Sequence, residues 1–407
     1  MNRNAIRHCV GVCALGILSL WGTMRIEAAT DIYVGTSGGT LYDYNGSLSG
    51  TNGIVSGLVN VEAVAVGPTG NVYVSDDVAP SGGGTGMVAY YDPHLTTSGG
   101  DTTTAFTGIG ATGLKALLTI NPSNGDVYVG RSYSVNGAGY ASVTQLPASL
   151  ASITNSNQGY NTPIVSIQES PLSTSSPSFL GLGTNFNSGG YSVWGIFTND
   201  QSGFSYSYYP APTGGMVFGP DGTFFFNING NVNHNSTDGV SFINYGAGSG
   251  NVGGNPAIGP GQLATGPFGT IPSDLTSFAL YVGKDDGTLV AYNPDPAVSA
   301  NPNYGVLGSL TAAQLGGAIT YIATDQTTGN VLVAISSGSN AQVLEYNYNL
   351  SSLLYSSPVL VGTTINTMAA VPEPSTFVLA ALIGVCLLPW VRRNARSQHA
   401  RHVFQLA

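Results

Sequence analysis

The chain has 407 residues, of which only 7% are charged, and a formal net charge of −10. Between Ala29 and Val371 the only bases are Lys115, Arg131 and Lys284, against 18 acids, a surplus that repels phosphate backbones and excludes a nucleic-acid partner. The three cysteines, Cys9, Cys13 and Cys386, lie outside that segment, which excludes a disulfide framework, a thiolate nucleophile and a thiolate metal site within it.

At the N-terminus, Arg3 and Arg7 precede an apolar run from Cys9 to Met24 and then Glu27-Ala28-Ala29. A basic end, an apolar core and small residues at a cleavage point make a secretory signal peptide, here residues 1–28, so the rest of the chain is expected to be exported. An uncleaved N-terminal anchor is the other reading, and it exports the middle of the chain equally.

The segment 29–371 reads as all-β. Gly, Ser, Thr and Asn are abundant, Tyr, Val and Phe recur in short alternating bursts, and no helical period persists. Disorder would also explain the Gly and Ser content, but regular apolar bursts argue against it. The bursts repeat. Val64-Ala65-Val66 passes through Gly67-Pro68-Thr69-Gly70 into Val72-Tyr73-Val74. The same order returns at Leu118–Val129, Met216–Phe226 and Tyr321–Val333, each with a Gly-containing turn that closes a hairpin. A third strand often ends in Tyr-Asn or Tyr-Asp, as at Tyr44-Asn45, Tyr91-Asp92, Tyr292-Asn293 and Tyr346-Asn347. The turn glycines stand at 70, 125, 222 and 329, intervals of 55, 97 and 107. The longer two are about twice a period near 50, so each should hide a degenerate copy, assigned to Tyr191–Phe197 and Ala279–Gly283. Asp31–Asn45 lacks an inner strand before it, and Thr364–Val371 looks like an inner strand with nothing after it. Joined, they make one more blade, so the expected fold is a seven-bladed β-propeller closed by its two ends. Tyr281 to Pro294 is similar to repeats of quinoprotein-like propellers, whereas the absence of a Trp-Asp pair disfavours the WD-repeat class.

Motifs for chemistry are sparse. Gly35-Thr36-Ser37-Gly38-Gly39 has the spacing of a nucleophile elbow, but a second strand follows it and a hairpin loop is expected. Gly108–Gly113 matches a dinucleotide fingerprint without the helix that fingerprint needs. Only His94 and His234 lie in the exported segment, both in loop-like contexts and both expected as surface residues. That rules out a His-rich zinc site built from one chain. Asp76-Asp77 and Asp285-Asp286, each placed just after an outer strand, are candidate calcium ligands, although neither sits in an Asp-x-Asp-x-Asp-Gly loop. Solvated turn acids are the ordinary reading, and no cofactor other than calcium is expected. A quinone cofactor would need cations that three bases do not supply. Carboxylates gathered from distant blades for acid–base work have no sequence spacing to betray them.

At the C-terminus, Val371-Pro372-Glu373-Pro374-Ser375-Thr376 leads into an uncharged apolar run, Phe377 to Val391, closed by Arg392, Arg393 and Arg396. The run is 15 residues long, short against the ~20 of a full span. The prolines make the motif extended, and the arginines suit the cytoplasmic side of a membrane. This order resembles the PEP-CTERM sorting tail, with residues 372–396 as the sorting segment and 397–407 as a cytoplasmic tail longer than the family pattern. The resemblance implies an exosortase-type membrane peptidase as partner and membrane anchorage in transit. It also implies delivery to the cell surface or extracellular matrix, often beside extracellular polysaccharide. The leading expectation is a non-enzymatic binding or structural module for glycan or protein. The alternative is a propeller lyase, glycosidase or lactonase acting in the same matrix.

Overall fold

A computed structural model describes residues 30–76, 87–101, 116–135, 138–160, 164–171, 180–184, 192–197, 204–209, 213–219, 224–228, 231–235, 242–243, 263–267, 278–284, 286–293, 306–326 and 328–372. They fall in one unit, Thr30–Pro372, and the expected signal peptide and the tail from Glu373 onward lie outside the described residues.

Seven antiparallel sheets carry the chain, six of four strands and one of five. Their innermost strands are Val61–Val66, Ala116–Ile120, Ile164–Glu169, Thr213–Phe218, Leu263–Pro267, Ala318–Thr324 and Ile365–Pro372. Each packs on the next in that order, and Ile365–Pro372 packs on Val61–Val66, so the inner strands close a ring. This is a propeller fold. The hairpins turning at Gly70, Gly125 and Gly329 join first to second strands as expected, Gly222 lies outside the described residues, and the Tyr-Asn and Tyr-Asp pairs end third strands. Ring closure is also as expected. Thr30–Thr36 pairs with Ile365–Pro372, with Asp31 opposite Val371 and Ile32 opposite Ala370. That strand runs one residue past Val371, so the first two residues of the expected sorting motif are part of the ring.

One sequence expectation is sharpened and two change. Ser192–Phe197 is the third strand of its blade, whose second strand, Leu180–Thr184, reads Leu-Gly-Leu-Gly-Thr and carries too little side chain to stand out. His234 lies in a strand, Asn231–Asn235, opposite Phe225, because neighbouring hydrogen bonds outweigh the turn preference of asparagine. Asp76 is the last residue of a second strand, Val72–Asp76, rather than a residue beyond an outer one. The Gly35–Gly39 segment does form the expected hairpin, with Gly39 at φ 70° and its N–H donating to Thr36 O.

The core lies in the seams between blades. Second strands face a neighbour on both sides, so Val72–Asp76 and Phe278–Gly283 are buried along their whole length. Tyr33, Leu41, Val61, Val64, Val72, Val74 and Leu95 fill the seam between the composite blade and the next. Each such side chain contributes about 1.5–3 kcal/mol through burial.

A repeated clasp joins successive blades. After the third strand, Asn45–Leu48, Asp92–Leu95, Pro147–Leu150 and Asn347–Leu350 each form a turn closed by a hydrogen bond from the Leu N–H to the first residue's carbonyl. All four leucines are buried and adopt φ of 55–60°, a left-handed conformation that an L residue holds only when packing compensates. The buried tyrosine of the preceding blade's second strand donates into the turn. Tyr33 bonds Pro93 O at 2.5 Å, Tyr73 bonds Ala148 O at 2.8 Å and Tyr281 bonds Tyr348 O at 2.9 Å. This is why Tyr recurs at that repeat position.

Candidate functional site

Among the described residues, the clasp between the composite blade and its successor is where three acidic or imidazole side chains converge. Tyr33 pairs with Asp43 across the second and third strands, and Asp31 lies two residues before Tyr33 on the same face. The outer strand, Thr51–Val55, shifts register between Asp43 and Tyr44, which leaves Asn52 as an extra residue. Such a bulge re-aims its side chain. Asn52 Nδ2 donates to Asp31 Oδ1 at 3.0 Å. His94 enters from the next blade's turn, and its Nδ1 lies 3.7 Å from Asp43 Oδ2. The turn is pressed close, since a Cβ on Gly53 would stand 2.0 Å from His94 O. Gly53 is therefore required by this approach.

Asp31, Asp43 and His94 offer donor atoms that all lie within 4.8 Å of one another. Asp43 is 0% exposed and neither of its oxygens accepts a hydrogen bond, whereas the His94 side chain is 59% exposed. Burial, and then the charge of Asp31, push the Asp43 carboxyl up to about 7, with His94 and then Asn52 pulling it partly back. The set combines two carboxylates and an imidazole, with one side open to solvent.

Register-matched positions in other blades show what this departs from. Opposite Tyr128, Gln145 donates to Asp126 at 2.8 Å. Opposite Leu332, Glu345 accepts from Asn330 at 2.7 Å. Those blades pair an acid with an amide, and the composite blade pairs two acids.

The residues singled out in the sequence are not brought together. Asp76 is buried, and its Oδ1 accepts from Val59 N and Asn60 N at 2.8 and 2.9 Å, so it caps the segment entering an inner strand. Asp286, four blades onward, is exposed and caps its own turn through Thr288 N at 2.8 Å, a bond that lowers its pKa. Asp77 and Asp285, Gly108–Gly113, Glu373, Pro374, Ser375 and Thr376, and Arg392, Arg393 and Arg396 lie outside the described residues. Sequence reading passed over Asp31, Asp43 and Asn52, and took His94 for a surface residue. It is one, but its ring faces a buried acid.

No protein-family model matches the chain, and no curated protein matches it. Solved structures do. A periplasmic gluconolactonase from Pseudomonas aeruginosa aligns over 85% of this chain and 100% of its own, at 15% identity and a TM-score of 0.55. A protein from Lactobacillus plantarum aligns over 84% and 99%, at 16% identity and a TM-score of 0.57. Hydrazine synthase from Kuenenia stuttgartiensis aligns over 80% and 90%, at 14% identity and a TM-score of 0.50. At these identities the likeness is one of fold, and the fold hosts unrelated chemistry.

Proposed function

We propose that this chain is an exported, tail-sorted β-propeller that serves at the cell surface or in the extracellular matrix as a non-enzymatic binding or structural module for glycan or protein. One observation carries the reading. The folded unit runs from Thr30 to Pro372, so its borders fall within two residues of the expected signal cleavage after Ala28 and of the motif that begins at Val371. A ring bounded in this way is cargo between two processing signals, and an exosortase-type peptidase is the partner that would read the second. Among the described residues, the one group of three acidic or imidazole side chains close enough to act together lies in a seam between blades, with one carboxylate fully buried. That placement suits a stabilising role better than attack on a polymer.

The alternative is a matrix enzyme, and hydrolysis of a lactone is its most concrete form because the Pseudomonas aeruginosa neighbour is a gluconolactonase of the same fold. One pair of assays separates the two. The purified full-length chain should co-sediment with extracellular polysaccharide from its native host and leave the hydrolysis of gluconolactone at the blank rate. Hydrolysis that scales with protein concentration, without co-sedimentation, would reverse the assignment.

A further inference from the structure

We propose that Asp31, Asp43 and His94 bind a divalent transition-metal ion of the zinc class, bridging the composite blade and the blade that follows it. Asp43 supplies the first argument. A fully buried carboxylate with no well-formed hydrogen bond, held only by the loose approach of His94 and Asn52, is costly, and a bound ion is one way such a group is satisfied. The second is spacing. His94 Nδ1 and Asp43 Oδ2 are 3.7 Å apart, too far for a hydrogen bond. Two donors that each sit about 2.0–2.2 Å from one ion at a tetrahedral or wider angle are separated by roughly 3.4–3.7 Å. Asp31 completes three donors within 4.8 Å, so closure onto an ion draws the donors together by up to about an ångström, within reach of side-chain rotation.

The third argument is orientation. Asn52, placed by the bulge, holds Asp31 Oδ1, as a residue behind a metal ligand does. Tyr33 and Gly53 fix the turn that carries His94 from the other blade. Where the same repeat positions hold Asp126 with Gln145 or Asn330 with Glu345, an amide donates to the acid, and among the described residues no imidazole joins them as a third donor. The donor set also selects the ion. Calcium and magnesium prefer six or more oxygens, whereas an imidazole beside two carboxylates suits zinc or manganese. Three protein ligands leave one position, on the exposed His94 side, for water.

The test uses the full-length chain, freed of metal with a chelator and dialysed. Titration calorimetry with zinc chloride should give one ion per chain with a dissociation constant in the micromolar range or below, and calcium chloride should bind far more weakly. His94→Ala, on an exposed turn that leaves the seam packed, should lose the stoichiometric zinc while keeping the wild-type circular dichroism spectrum. Asn52→Ala should weaken binding about tenfold. Loading with cobalt(II) should give a visible absorption spectrum of a four- or five-coordinate ion that disappears in Asp43→Asn. No zinc binding by the wild-type chain, or equal stoichiometric binding by wild type and His94→Ala, would overturn the site.

Discussion

The clasp makes a quantitative prediction at Gly308, in the outer strand Val306–Leu310. A Cβ built on Gly308 would lie 1.9 Å from Asn349 O, a backbone atom of the next blade. Gly308→Ala must therefore push the Asn347–Leu350 turn outward by more than an ångström. That turn is held by the 2.9 Å bond from Tyr281 to Tyr348 O and by Leu350, 3% exposed and at φ 60°. Losing a bond of a buried hydroxyl costs about 1–3 kcal/mol and overpacking about 1–3 kcal/mol more, so the expected loss is about 2–6 kcal/mol. With an unfolding entropy of about 2.1 cal/mol/K per residue over roughly 340 residues, the midpoint should fall by about 3–8 °C. Calorimetry on Gly308→Ala, Tyr281→Phe and the double variant checks both size and mechanism. Because the alanine already breaks the tyrosine's bond, the double variant should lose about 1 kcal/mol less than the two single losses together. Full additivity, or a shift below one degree in Gly308→Ala, would refute the clasp.

Three further outcomes follow from the same geometry. Asp43→Asn removes an uncompensated buried charge, so in chelator at pH 8 it should raise stability by about 1–2 kcal/mol in urea unfolding, and a loss of similar size would contradict the account. Ile32→Cys with Ala370→Cys, in a chain whose native cysteines are replaced, should cross-link on oxidation because these residues face each other across the terminal strands. Moving the second cysteine to residue 371 should abolish the link. Tyr73→Phe, which removes a 2.8 Å bond to Ala148 O, should cost about 1–2 kcal/mol in the same urea assay, and no change would mean that the hydroxyl is idle.

Much of the fold could be read in the sequence because each blade repeats a local code. Alternating Val and Tyr, a glycine turn and a terminal Tyr-Asn pair are all nearest-neighbour signals, and Asp31–Asn45 revealed its missing inner strand by lacking one. The degenerate blade showed itself only at Tyr191–Phe197, its third strand, because the Leu-Gly-Leu-Gly-Thr of its second strand offers little burial to recognise. The candidate site was not legible for a different reason. Asp31, Asp43 and His94 are scattered in sequence, and only the ring's seam brings them together. Asn52 reaches Asp31 through a bulge that no composition signal marks. One signal was available in principle. Aligned by register, Asp43 stands where Tyr90, Gln145 and Glu345 stand in other blades, and a second acid diagonal to Asp31 is the departure that marks the site.

The central claim, a ring delivered by its two processed ends, is tested most directly by mass spectrometry of the mature protein from its native host. Val371 and Pro372 pair with Asp31 and Thr30 in the closing strand, so a cut before Val371 would strip two residues from the strand that closes the ring. The account predicts an N-terminus near Ala29 and a C-terminus beyond Pro372 but before the apolar run at Phe377. An intact end at Ala407 on surface-exposed protein, or a C-terminus inside Ile365–Pro372, would contradict it.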